Sequence, residues 1–335
     1  MKKSALAWLL PAAVLLAACS HAAPRLAPTR LPPTTAAAPN AALPATAQPP
    51  AAAFSPSLTP ALTLAPHPAL LPSPTASAQP IVYRGLSVLA AGLSAPDDLL
   101  LATDGTIYFS VIGDGTLRQL GVDGQIKVIA RNLDEPEGIV QLPGGDLVVA
   151  EQGKNRLVRV DPLTGRITTF VDLPNRTGNP GVDGIALEHA GGSPQILVPD
   201  SPNGRLLRVS LDGAQVQTIA GGFLRPTGAF PEASGDILVA DENAGEIIRL
   251  KADGSRQVLA RLPLADDVIE DPAGNIFAIS ISAGQVYLIP SGEQQGRVLV
   301  GGLSSPQGIC FDAQGNLVVA EAGKSRLVRL QIRAP

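Results

Sequence analysis

Pro306-Gln-Gly-Ile-Cys-Phe-Asp-Ala-Gln-Gly-Asn-Leu-Val-Val-Ala-Glu321, followed by Arg326-Leu-Val-Arg-Leu330, is one copy of a recurring unit. A second copy reads Pro136-Glu-Gly-Ile139, then Gly145-Asp-Leu-Val-Val-Ala-Glu151, then Arg156-Leu-Val-Arg-Val160. Four more begin near Pro96, Val182, Pro226 and Ala265, so the unit of about 40 residues occurs six times between Leu93 and Gln331. Each copy holds four short apolar runs. In one they are Gly228–Phe230, Ile237–Ala240, Ile247–Leu250 and Gln257–Ala260, parted by Ser234–Asp236, Asn243–Gly245 and Asp253-Gly254. Runs of β-formers bounded by turn residues read as strands, and Asx-Gly pairs supply the positive φ of tight hairpins. Four meandering strands per unit make one blade, and six units predict an all-β, six-bladed β-propeller.

The last unit has three strands and no fourth. Leu86-Ser-Val-Leu-Ala-Ala-Gly-Leu93 matches the fourth-strand segment Val298-Leu-Val-Gly-Gly-Leu303. The N-terminal strand is therefore expected to complete the final blade, which removes the open edge of the ring. An acid often ends the second strand with arginine five residues on: Glu151 with Arg156, Asp200 with Arg205, Glu321 with Arg326. These are read as structural ion pairs across each blade's hairpin, and Asp241 with Glu246 breaks the pattern.

Ahead of the repeats, Lys2 and Lys3 precede an apolar stretch, Ala5 to Ala18, that ends in Leu16-Ala-Ala-Cys19. The charged start, short apolar segment and small residues describe a secretory signal, residues 1–18. The ending resembles the bacterial lipoprotein box. That resemblance implies a lipidated Cys19 at the mature N-terminus and a chain exported and anchored to the cell envelope through lipid. Residues 20–80 contain 15 prolines and no acidic residue. Such a composition cannot bury a core, so 19–80 read as a tether reaching on the order of 100–190 Å. The propeller is assigned to 81–335. A formal net charge of −4, more negative once Lys2 and Lys3 are cleaved, argues against nucleic acid as a partner. Cys310 is expected to be a buried thiol in an apolar first strand.

First strands line the channel of a propeller. Each begins with a tripeptide whose variable residue precedes glycine, and round the ring this position is Asp97, Glu137, Asp183, Thr227, Asp266 and Gln307. In blades one and five an aspartate, Asp98 or Asp267, replaces the glycine. Four carboxylates and two neutral oxygen-bearing side chains are thus expected at one channel mouth. Four acids about 10 Å apart would repel by roughly 10 kcal/mol in all, so protons, arginines, water or a cation must relieve them. An all-oxygen set favours calcium or magnesium.

The region from about Leu86 to Gln331 resembles the six-bladed propellers of the gluconolactonase, senescence-marker and luciferin-regenerating family, and equally NHL-repeat propellers. The residues that carry the first resemblance are Pro306-Gln-Gly, Pro136-Glu-Gly, and Asp266-Asp-Val268 followed by Asp271-Pro-Ala-Gly274. It implies an axial divalent cation that polarises a lactone carbonyl, with an aspartate as general base. Carried over, Glu137 is a glutamate ligand and Asp266 stands at the family's asparagine. Gln307 stands at the family's catalytic aspartate, so the base passes to another carboxylate: Asp183, Asp266 or Asp97. Asp97, Glu137, Asp183 and Asp266 become the metal-ligand set, with Thr227 and Gln307 beside them. The family's substrate-facing arginine has no clear match. Streptogramin lyases and quinoprotein sugar dehydrogenases depend on axial histidines, whereas His189, the propeller's single histidine, falls in a polar loop. Three readings remain: hydrolysis of a small lactone or ester, an NHL-like module that binds a protein or small ligand without chemistry, or a structural propeller of the cell envelope.

Overall fold

The computed structural model describes residues 81–174, 180–189 and 192–332, and the expected signal 1–18, Cys19 and the tether lie outside them. Within the described residues, twenty-four strands form six four-stranded antiparallel sheets, the predicted six-bladed propeller. Five sheets take their strands consecutively from one repeat. The sixth is closed by the N-terminal strand Gly85–Ala91, which pairs with Arg326–Gln331, Leu86 opposite Leu330 and Val88 opposite Val328.

Strand periodicity explains the core. Alternate side chains point to opposite faces of a blade, and both faces are covered by neighbouring blades. The second strand of a blade therefore has no solvent face: Leu147–Glu151, Ile237–Asp241, Ile276–Ser280 and Leu317–Glu321 are buried at every position. In blade two, Val148 and Ala150 pack toward blade three, while Leu147 and Val149 pack toward blade one. Each of the six junctions has one such apolar cluster. Cys310, 8% exposed, sits in the junction of blades six and one, as expected.

The second-strand acids do more than bridge a hairpin. Glu321 binds Arg326 at 2.6 Å and also accepts from the backbone N–H of Ser304 at 2.9 Å. Glu151 binds Arg156 and likewise accepts from Asp134 N–H at 2.9 Å. Asp241, without an arginine, accepts from the N–H groups of Leu224 and Arg225 at 2.8 Å. In these three blades the shared task is to fasten the loop that enters the blade, whereas Asp200 holds Arg205 and Asn203. Blade four keeps that task although its Glu246 pairs with Arg261 instead.

Candidate metal and catalytic site on the propeller axis

The first strands are Pro96–Leu101, Pro136–Gln141, Ala186–Glu188, Pro226–Pro231, Ala265–Glu270 and Pro306–Phe311. At their entry the ladder slips. Pro96 opposes Val111 but Leu99 opposes Phe109, and the same shift occurs at Pro136/Ile139, Ala265/Val268 and Pro306/Ile309. Two residues then face one partner residue, a β-bulge, which re-aims the bulged side chains. The bulged residues are the variable ring position and its successor. Blade three differs: its strand starts only at Ala186, so Asp183 lies in extended chain ahead of it. There the side chain of Asn155 takes over from the ladder, its Oδ1 accepting from Val182 N–H at 2.7 Å.

This backbone buries Asp97, Glu137, Asp183 and Asp266, each no more than 8% exposed. Oxygens of Asp97, Glu137 and Asp183 lie within 4.8 Å of one another. Asp266 is not in that trio, but its carboxyl feels the charges of Asp183 and Asp97. Thr227 is fully buried and its hydroxyl donates to the carbonyl of Asp266 at 2.8 Å, so it braces the neighbouring blade. Gln307 is partly buried.

Two residues absent from the sequence-derived set complete the cluster. Gln152, in the short 3-10 turn Gln152–Lys154, donates through Nε2 to Glu137 at 2.8 Å and to Asp183 at 3.3 Å. Arg225, just ahead of the fourth blade's ring position, donates through Nη2 to Asp183 Oδ2 at 2.8 Å and pairs with Glu242 through Nη1. Arg225 occupies the position of Ala95, Glu135, Leu264 and Ser305 in other blades, where the backbone makes the same hydrogen bond but the side chain changes from blade to blade. Its one local signal is the neighbouring Pro226 at the start of a ring strand.

Burial governs the protonation of the ring. Asp97 is pushed up to about 6, chiefly by desolvation, against the lowering effect of a hydrogen bond from Glu137. Glu137 is held well above the carboxylate range by burial and by the charges of Asp97 and Asp183. Asp183 is raised by burial, with Arg225 opposing the shift. Asp266 is raised by burial and by Asp183 and Asp97. Retained protons and the single guanidinium therefore relieve the repulsion expected from the sequence.

Below the ring the channel narrows. A Cβ added to Gly308 would fall 2.7 Å from both Asp97 O and Asp98 Cα, and one on Gly138 would fall 2.3 Å from Ile185 N. Only glycine lets the strands approach this closely. The glycine-replacing Asp98 and Asp267 project into this waist. Asp98 accepts from Leu99 N–H at 2.7 Å, and Asp267 accepts from Val268 N–H at 2.8 Å and, across the blade junction, from Ile309 N–H at 3.0 Å. Burial pushes Asp267 up to about 7 and Asp98 well above its usual range. Past the waist, a cavity of about 830 Å³ continues along the first strands toward the hairpins that follow them. None of the six ring positions lines it. His189 stands exposed at its rim, outside any strand, as its loop position predicts.

No family model matches the chain, and no curated protein matches it. Solved structures do. A gluconolactonase from Xanthomonas campestris superposes with a TM-score of 0.63 at 17% identity over 77% of this chain and 96% of that one. Regucalcin of Agrobacterium tumefaciens, a calcium-binding protein, gives 0.62 at 15% identity, over 75% and 95% of the two chains. Virginiamycin B lyase from Staphylococcus aureus gives 0.55 at 18% identity, over 70% and 80%. At these identities the likeness is one of fold: the chain has the same propeller architecture as these proteins.

Proposed function

We propose that the protein is an exported, lipid-anchored hydrolase of small lactones or related esters that works with a divalent cation on the propeller axis. The observation that carries this reading is the trio Asp97, Glu137 and Asp183, three buried carboxyl groups with oxygens within 4.8 Å of one another. The spacing suits a hard cation, whose oxygen ligands stand about 2.3–2.6 Å from calcium. The raised pKa values fit as well, because carboxyls whose protons are favoured chiefly by burial can exchange them for a cation. Calcium or magnesium would polarise the ester carbonyl and favour ionised water.

The chain's own residues divide the remaining work. Asp97, Glu137 and Asp183 hold the cation. Asp266, buried in the ring but outside the trio, is the carboxylate left to take a proton from water. Asp183 is tied to Arg225, which fixes its carboxylate and leaves it less suited to accept that proton. Gln152 and Arg225 hold the carboxyls of Glu137 and Asp183 in place. Turnover of a panel of aliphatic and sugar-derived lactones, with and without calcium or magnesium, tests the reading. Activity that needs the ion and is lost in both Glu137→Gln and Asp266→Asn supports it. Cation binding without any turnover would favour a non-catalytic binding module built on the same ring. The anchor is tested separately, by palmitate incorporation that Cys19→Ala abolishes.

A further inference from the structure

The cavity on the far side of the waist has a lining that includes none of the six ring positions. Its walls are apolar, with Leu99, Leu101, Ile139, Ile185, Ala229 and Ile309 among them. Its inner end carries the carboxyls of Asp98 and Asp267. Asp98 Oδ1 is engaged by Leu99 N–H, and Oδ2 has no protein donor among the described residues. At the outer rim stand Glu232, Glu270 and Asp271. Glu232 is held by Arg249 in a paired contact at 2.6 and 2.7 Å, so that guanidinium is already engaged. Among the described residues no lysine or arginine lines the cavity. A ligand pocket of this size with apolar walls and few convergent polar groups is the usual form of a small-molecule site. The lining favours a cation over alkanoates and sugar acids, since a carboxylate placed beside Asp98 and Asp267 would find no cationic side chain there to pair with.

We propose that this lower cavity binds a small amphiphilic amine, its apolar body against the first strands and its ammonium group at Asp98 and Asp267. From Asp98 to Leu101 the strand rises roughly 10 Å, a length comparable to an eight-carbon chain. An ammonium offers three donors to the two carboxyls that close the inner end. None of the lining residues is one of the six ring positions, although Asp98 and Asp267 feel the charges of Asp97 and Asp183.

The test uses the purified full chain carrying Cys19→Ala, which cannot be acylated and leaves Cys310, a wall residue, as its sole cysteine. Octylamine, 1-octanol and octanoate are titrated calorimetrically in chelator. Octylamine is expected to bind at least 10-fold more tightly than 1-octanol, with octanoate weakest, and to slow alkylation of Cys310. Asp98→Asn with Asp267→Asn should bring the amine down to the affinity of the alcohol. If that double variant does not fold, the selectivity series and Cys310 protection in the parent decide. Equal binding of amine and alcohol, no binding of the amine, or unprotected Cys310 would overturn the proposal.

Discussion

Arg225 Nη2 stands 2.8 Å from Asp183 Oδ2 and is the one guanidinium paired with a ring carboxyl among the described residues. It is itself fixed from behind, since its backbone N–H donates to Asp241 at 2.8 Å and its carbonyl accepts from Glu242 N–H at 2.9 Å. The second-strand acid of blade four thereby aims a side chain at the channel of blade three.

Arg225→Ala leaves Asp183 buried without its cation and frees Glu242. Breaking a partly buried pair of this kind costs roughly 3 kcal/mol. Chemical denaturation in chelator is expected to show that loss. Saturating calcium should restore more stability to the variant than it adds to the parent.

The ring also sets a pH dependence. Asp97 rises from 3.8 to about 6 and Asp267 from 3.8 to about 7 on folding. A raised carboxyl pKa means that the folded state holds the proton more tightly. The resulting stabilisation is complete below about pH 4 and is lost as pH climbs through 6 to 7. Metal-free protein should therefore melt at lower temperature at pH 8 than at pH 5, by more than about 5 °C. Asp97→Asn should flatten the profile, which scanning calorimetry in chelator would record.

The waist makes a steric prediction. Gly308→Ala places a Cβ 2.7 Å from Asp97 O and Asp98 Cα, where only backbone could give way. The expected cost is about 1–3 kcal/mol. Gly144→Ala meets nothing within 4 Å and should be neutral within about 0.5 kcal/mol in the same denaturation assay.

Glu321 is fully buried and holds Arg326, Lys324 and the N–H of Ser304. Glu321→Ala strands those donors and loosens the loop that enters the closing blade. A loss of roughly 3 kcal/mol is expected. Hydrogen exchange should locate the loosened segment at Leu303–Ser305.

The repeat made the blades, their number and the closing strand legible, because period-two runs and Gly turns are local signals. It also pointed to Asp97, Glu137, Asp183 and Asp266, which the structure buries in one ring. What it could not give was the division of that ring. Asp97, Glu137 and Asp183 converge while Asp266 stays outside the trio, although blade five carries the same bulge as blades one and two. Gln152 and Arg225 were not legible because the side chain at their repeat positions changes from blade to blade, Ile112, Glu242, Ile281 and Ala322 matching Gln152, and Ala95, Glu135, Leu264 and Ser305 matching Arg225. Asp98 and Asp267 were visible as departures from glycine, but their role at the waist depends on how closely the six strands approach.

The central claim is that Asp97, Glu137 and Asp183 hold a divalent cation. The most direct measurement strips the full chain of metal and follows its unfolding free energy while calcium and magnesium are titrated. A ligand at 100 times its Kd should add about 2.7 kcal/mol, and Glu137→Gln should lose most of that gain. An unchanged unfolding free energy with both ions in the parent protein would contradict the account.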